Sequence, residues 1–193
     1  MDDLVAGTAL DVAPRLIGCL LTTRIRGVAT SVRLIEVEAY GGSDDPASHA
    51  YGGPTERNRS MFLAAGHLYV YLSYGIHQLV NIVTGPEGDP GAVLLRAGEP
   101  VEGHTVMKQR RGRGDHLTDG PGKLAQALGL TLTHDGISLD DGRISLTPPP
   151  SIHPVRATPR VGISKAVERP WRFVQADTAA PDVTHTRCTL VPR

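Results

Sequence analysis

Thr30-Ser31-Val32-Arg33-Leu34-Ile35-Glu36-Val37-Glu38-Ala39-Tyr40 alternates through β-branched, charged and aromatic residues, then meets a stretch rich in Gly, Pro, Ser and Asp. A period of two with this composition reads as a strand. Residues two apart in a regular strand share a face. Val32, Leu34, Glu36, Glu38 and Tyr40 are therefore expected on one side, and Arg33, Ile35, Val37 and Ala39 on the other. The strand ends by presenting a carboxylate beside a tyrosine.

Working outward, residues 19–25 form a shorter strand joined to this one by a turn at Arg26-Gly27, after a helix over residues 6–17 that Pro14 interrupts or ends. Residues 41–67 read as a long irregular loop, the kind that carries function inside a compact domain. Residues 68–72 and 79–84 read as a hairpin around Ser73-Tyr74-Gly75, and 92–97 as another strand. A helix over 101–111 follows Pro100, and a short helix over 123–128 is closed by Gly129. Residues 137–139 and 144–146 flank Asp140-Asp141-Gly142 as a second hairpin signal. Too little follows Pro148-Pro149-Pro150 to make a second domain. The expectation is one mixed α+β domain over residues 1–193.

The chain has 193 residues, 40% of them apolar and 21% charged, which suits a packed core and excludes wholesale disorder. No apolar run approaches the roughly 18–20 residues that span a membrane. The acidic opening Met1-Asp2-Asp3-Leu4 is unlike a basic secretory leader, so a cytoplasmic protein is expected. Cys19 and Cys188 stand alone, outside any CxxC or zinc spacing. Twenty basic and twenty acidic residues cancel, which argues against a general nucleic-acid coat but not against one basic face. Residues 151–193 carry seven basic against three acidic groups, and Arg110, Arg111 and Arg113 make a local basic stretch. All five tyrosines fall between Tyr40 and Tyr74, as rings gathered into one stacking site would.

Taken singly these features are ordinary. Glu38 alone is more often a solvated strand-end carboxylate, Tyr69 and Tyr71 alone are sheet-face residues, and His49 alone caps a loop. His49, His67 and His77 lack metal-ligand spacing, so no metal is expected. The stretch before Lys123 misses a phosphate loop, with Leu117 where its first glycine belongs and Leu124 in place of Ser or Thr. Tyr74 is harder to make ordinary, because a large ring at a hairpin tip marks a contact surface.

In order along the chain, Ile35-Glu36-Val37-Glu38-Ala39-Tyr40, Asp45-Pro46-Ala47-Ser48-His49 and Thr55-Glu56-Arg57-Asn58-Arg59-Ser60-Met61-Phe62 resemble the alkyladenine (3-methyladenine) DNA glycosylase family. So do Gly66-His67-Leu68-Tyr69-Val70-Tyr71-Leu72-Ser73-Tyr74-Gly75, Asn81-Ile82, Val93-Leu94-Leu95-Arg96-Ala97, Gly120-Pro121-Gly122-Lys123-Leu124, Gly162-Ile163 and Arg169-Pro170-Trp171-Arg172-Phe173. The resemblance implies a curved antiparallel sheet with flanking helices and a protruding DNA-inserting hairpin, similar to the C-terminal domain of methionyl-tRNA formyltransferases. It implies hydrolysis of the N-glycosidic bond of a damaged purine flipped out of double-stranded DNA, in base-excision repair. By position in the family motif, Glu38 activates the water, Tyr40, His49 and Tyr71 sandwich the base, and Asn81 discriminates against the guanine amine. Tyr74 fills the gap in the duplex, and Arg96 contacts a phosphate. Arg57 and Arg59 also suit the backbone, and Lys123 suits an anion at a helix N-terminus.

Glycosylases that also cut the strand use an amine nucleophile. Lys108, Lys123 and Lys165 all fall outside the sequence span from Glu38 to Tyr74, so a monofunctional, cofactor-free enzyme, monomeric by default, is expected. The rivals are a non-catalytic damaged-DNA-binding module on the same scaffold, which has no use for Glu38, and a hydrolase of free nucleosides, which has no use for Tyr74.

Overall fold

The computed structural model describes residues 2–176, so Cys188, and Arg187 and Arg193 of the basic C-terminal stretch, lie outside the described residues. Strands β1 (Leu20–Ile25) and β2 (Val28–Tyr40) pair antiparallel, as do β3 (Leu68–Ser73) and β4 (His77–Val83). β5 (Ala92–Glu102) runs between β4 and β2, and β6 (Ile144–Thr147) lies outside β1. β7 (Val155–Thr158) and β8 (Arg172–Gln175) form a last hairpin whose β8 pairs with β2. The result is a curled antiparallel sheet with helices α1 (Asp2–Val5), α2 (Ala9–Leu16), α3 (His104–Arg111) and α4 (Pro121–Leu128). No helix among the described residues is long and apolar enough to cross a membrane.

β2 departs from strict alternation at a bulge. Its pairing with β5 steps from Leu34↔Gly98 to Glu36↔Ala97 and then Val37↔Leu95, leaving Ile35 and Arg96 as the extra residues on their strands. Val32 and Leu34 lie in the core before the step, and Val37 and Ala39 after it. The expectation that Leu34 and Glu38 share a face is thus corrected: an inserted residue reverses the parity of everything beyond it. At the same place β2 exchanges one neighbour for another, pairing with β1 up to Arg33 and with β8 over Glu36–Glu38. The bulge bends the sheet and turns two carboxylates away from the core.

Three further expectations are overturned. α2 continues through Pro14 to Leu16 instead of breaking there. A Thr8–Asp11 capping box starts it, and the burial of Val12, Ala13 and Leu16 outweighs the one backbone bond proline forfeits. β5 runs on through Pro100 to Glu102, so α3 starts only at His104. Pro100 falls beside a register shift between Ser31 and Val32, where the ladder is already interrupted. Residues 137–146 do not form a hairpin: Ser138 bridges His67, while β6 completes the edge of β1. Cys19 is buried, its thiol pushed up to about 11 by desolvation.

The C-terminal segment is fastened by an ion pair with no exposed side-chain surface. Arg160 donates Nη1 and Nη2 to the two oxygens of Asp45, at 2.6 and 2.8 Å, and Nη1 also reaches the carbonyl of Ala39 at 2.9 Å. Asp45 accepts two backbone N–H groups as well, from Gly41 and Ala47. The guanidinium lies over the rings of Tyr40 and Trp171, 4.7 and 5.0 Å from their centroids. Burial works to raise the Asp45 pKa, but the Arg160 and backbone donors outweigh it and hold the carboxyl below its usual range.

Removing either partner strands a buried charge, so Asp45→Ala or Arg160→Ala is expected to cost about 3–5 kcal/mol in urea unfolding. The double variant should lose less than the sum. Because the Asp45 pKa is depressed on folding, its contribution is complete above about pH 4 and is lost as pH falls through the folded value. Asp45→Asn should correspondingly reduce the acid dependence of stability between about pH 5 and 2.

Candidate active site

Beyond the bulge, one face of the sheet turns from core to cavity. On β3, Leu68 and Val70 point into the core and Tyr69 and Tyr71 to the other side. On β4 and β5 the residues facing away from the core are Leu79, Asn81, Leu94 and Arg96. Together with Tyr40, the loop around His49 and residues 161–165 they enclose a cavity of about 850 Å³.

Glu38 sits behind this wall with no exposed surface. Its Oε2 accepts the Tyr40 hydroxyl at 2.8 Å and Arg96 Nη1 at 3.3 Å, and its Oε1 accepts the backbone N–H of Val161 at 2.8 Å. An ionised carboxylate offers about four acceptor sites, so one remains open. Tyr40 stays protonated and a donor, because burial and the Glu38 charge both push its pKa up. Glu36, two residues back, accepts Nε of both Arg96 and Arg172 at 2.7 Å. Burial opposes its ionisation, yet the two guanidinium groups outweigh that and hold its pKa below the ordinary value.

The rings form one side of the cavity. Tyr69 and Tyr71 stack with centroids 5.4 Å apart, and His49 meets Tyr71 edge-on at 4.6 Å. His49 Nδ1 shares a hydrogen bond with the Tyr69 hydroxyl at 2.8 Å. Desolvation and then the Arg57 charge lower the His49 pKa, leaving the imidazole neutral at pH 7. Burial and then Glu38 push Tyr71 up to about 12. Asn81 is buried on the cavity side and donates Nδ2 to the Tyr69 carbonyl at 2.9 Å. Four of the five tyrosines line the cavity; Tyr51 does not, and stands beside Lys165 instead.

Tyr74 stands at the tip of the β3–β4 hairpin, 89% exposed, next to Ile76 at 72%. Tyr74 and Gly75 have φ of 50° and 73°, and the N–H of Ile76 closes on the carbonyl of Ser73. These are the marks of a type I′ turn, whose first central position suits Asn, Asp or Gly. A bulky ring held there is strained, and such strain gathers at functional sites.

The remaining candidates divide. Arg96, expected to contact a phosphate, pairs with Glu36 and Glu38 and also lines the cavity. Arg57 reaches the Leu72 carbonyl and lines the cavity, whereas Arg59 pairs with Glu56 in solvent. Lys123 lines the cavity from α4 and pairs with Asp119. Lys165 lines it too, so the separation of lysines from the site in sequence does not hold in space. Sequence reasoning gave no role to Asp45, Arg160, Val161 or Arg172, although Asp45 and Arg172 lie within quoted motifs. Among the described residues the cavity is lined by Arg57, Arg96, Arg111, Lys123 and Lys165 and by no carboxylate. In a chain of zero net charge this is a local cationic surface, with aromatic walls for a planar group and a desolvated carboxylate behind them.

The family described as Methylpurine-DNA glycosylase matches residues 3–179. A Methanoculleus marisnigri protein is 52% identical over 169 residues, covering 84% of this chain and 87% of its own. A Cutibacterium acnes protein is 46% identical over 183 residues, covering 90% and 93%. A Nitrosospira multiformis protein is 46% identical over 170 residues, covering 87% and 86%. All three carry the name "Putative 3-methyladenine DNA glycosylase".

The strain at Tyr74 makes a prediction about stability alone. Tyr74→Asn places a residue that accepts positive φ before Gly75, and should raise unfolding free energy by about 1 kcal/mol. An unchanged urea midpoint would mean the turn stores no strain.

Proposed function

The chain belongs to the methylpurine-DNA glycosylase family and is a DNA glycosylase for alkylated bases, and from that premise we propose how it performs the reaction. A damaged purine is flipped from duplex DNA into the aromatic cavity, and Glu38 activates the water that displaces it. The observation that carries this reading is the Glu38 carboxylate, fully buried and held from three directions by Tyr40, Arg96 and Val161, which themselves line the cavity in front of it.

Tyr40, His49 and Tyr71 supply faces and edges for a planar base, with stacking worth roughly 1–3 kcal/mol. A neutral His49 allows an alkylated, positively charged purine to enter without like-charge repulsion, and the tyrosine faces attract it. Asn81, held by its bond to Tyr69, is the group that tests the purine edge against the guanine amine. Tyr74 fills the space the flipped base leaves, as an apolar or aromatic wedge does in the minor groove.

Water gives one proton to the open acceptor site of Glu38 as its oxygen bonds to C1′, leaving the carboxyl neutral and the hydroxyl on the sugar. The C1′–N bond breaks with its electron pair going to the purine. A base already cationic leaves neutral, without a proton donor, and the Glu38 charge stabilises the oxocarbenium-like sugar. Arg96 and the Val161 N–H fix the carboxylate in place; this takes over from the direct phosphate role expected of Arg96, and Arg57 and Lys123 are better placed for the backbone. The product is an abasic site.

Single-turnover release from duplexes carrying 3-methyladenine, 7-methylguanine, hypoxanthine or ethenoadenine tests the reading. Glu38→Gln should reduce release by about 10²–10⁴-fold while keeping affinity for the duplex. Comparable activity in that variant would remove Glu38 as the base, and binding without release by either protein would favour a damage-binding module. Borohydride should trap no covalent enzyme–DNA adduct; a trapped adduct would show a lysine attacking C1′.

The His49 environment adds a pH dependence. As pH falls through the lowered His49 pKa, protonation of the imidazole should weaken processing of cationic relative to neutral lesions, because only the former meet a like charge. Taking the ratio of the two rates cancels any pH dependence that the two lesions share. His49→Gln should flatten that ratio, and a ratio already flat in the wild type would remove His49 from contact with the base.

A further inference from the structure

The β3–β4 hairpin stands between two cavities, and only one of them belongs to the site above. The second, of about 810 Å³, lies where the β3–β4 tip meets the β1–β2 tip: Ile76 and Gln78 line it from one hairpin, Arg26 and Val28 from the other. Arg110 of α3 lines it too, and among the described residues no Asp or Glu does. His77 and Gly122 line both cavities, so the two adjoin beside the tip of the hairpin, where the start of β4 faces α4.

Arg26 is the distinctive residue. It is exposed at the β1–β2 tip, with φ of 52° before Gly27 at 76°, the same backbone form as Tyr74-Gly75. Arg33, Arg96, Arg143, Arg160 and Arg172 each pair with a carboxylate; among the described residues Arg26 has no hydrogen bond or ion pair. A tight turn fixes this unpaired guanidinium at the edge of a groove with no carboxylate on its lining.

A wedge entering the minor groove, about 6 Å wide, has a sugar–phosphate backbone on each side. One cavity serves the strand whose base is flipped. We propose that the second groove receives the backbone of the complementary strand, with Arg26 as a phosphate contact. This rests on the glycosylase reading. It gives the protein a way to hold duplex in preference to single strand, with Tyr74 inserted between two anchored backbones.

The test measures binding of the full chain to a duplex carrying an uncleavable abasic analogue, and to the same strand alone, across a salt series. Arg26→Ala should weaken duplex binding about three- to tenfold and lower the slope of log K against log salt by about one. Single-strand affinity should not change, and Arg26→Lys should keep the slope. Arg26→Asn, which accepts positive φ, should behave as Arg26→Ala does, separating lost charge from a disturbed turn. An unchanged slope, or equal losses on duplex and single strand, would overturn the assignment. Base release by the wild type is measured alongside: release with an unchanged slope sinks only the second groove, whereas no release from any lesion sinks the reading it rests on.

Discussion

The pair between Arg160 and Asp45 is the interaction on which the site depends. One carboxylate with four donors and one guanidinium lying over two rings join the loop after β2 to a segment more than a hundred residues away. Burying both charges is costly in isolation, and is offset here because the carboxylate is fully engaged and the pairing is bidentate. The consequence for chemistry is immediate, since the residue after Arg160 delivers its N–H to Glu38. Tyr40, packed under the same guanidinium, delivers its hydroxyl to the other oxygen. Loop anchoring and carboxylate positioning are one construction.

The charges behind the cavity are balanced on a second scale. Glu36 and Glu38 face Arg96 and Arg172, two against two, within the bend where β2 meets β5 and β8. Such an arrangement lets a carboxylate stay out of water without an uncompensated field. The cavity lining is balanced only in part: Arg96 and Lys123 are paired with carboxylates, whereas among the described residues Arg57, Arg111 and Lys165 have no such partner. Neutral as a whole, the chain places its acids behind the wall and its bases on it, which is the distribution a phosphodiester partner requires.

The turns show the same economy of backbone. Tyr74 and Arg26 each occupy the first central position of a turn that favours Asn or Gly, and each is exposed at a hairpin tip. A flexible loop would present these side chains without strain but with a larger ordering cost on binding. A tight turn holds the ring or the guanidinium in one position at the hairpin tip.

By itself the sequence determined the local pieces: the period of β2, the β3–β4 hairpin with Tyr74 at its tip, and α4 closed by Gly129. These follow from side-chain period and from glycine at turns and caps, which act over a few residues. It also carried the motif order that matches the family. Tertiary structure alone decided which face of β2 Glu38 occupies, because one unpaired residue at Ile35 reverses parity and no period reveals it. Packing carried α2 through Pro14, and folding brought Asp135 to Ser60 and to Val70 of β3, 75 and 65 residues away along the chain. Likewise only the fold showed that Arg160, Val161 and Arg172 complete the site, and that two lysines remote in sequence line it. Distance along the chain carries no information about contacts made by closing a long loop, and a buried ion pair is the device that closes this one.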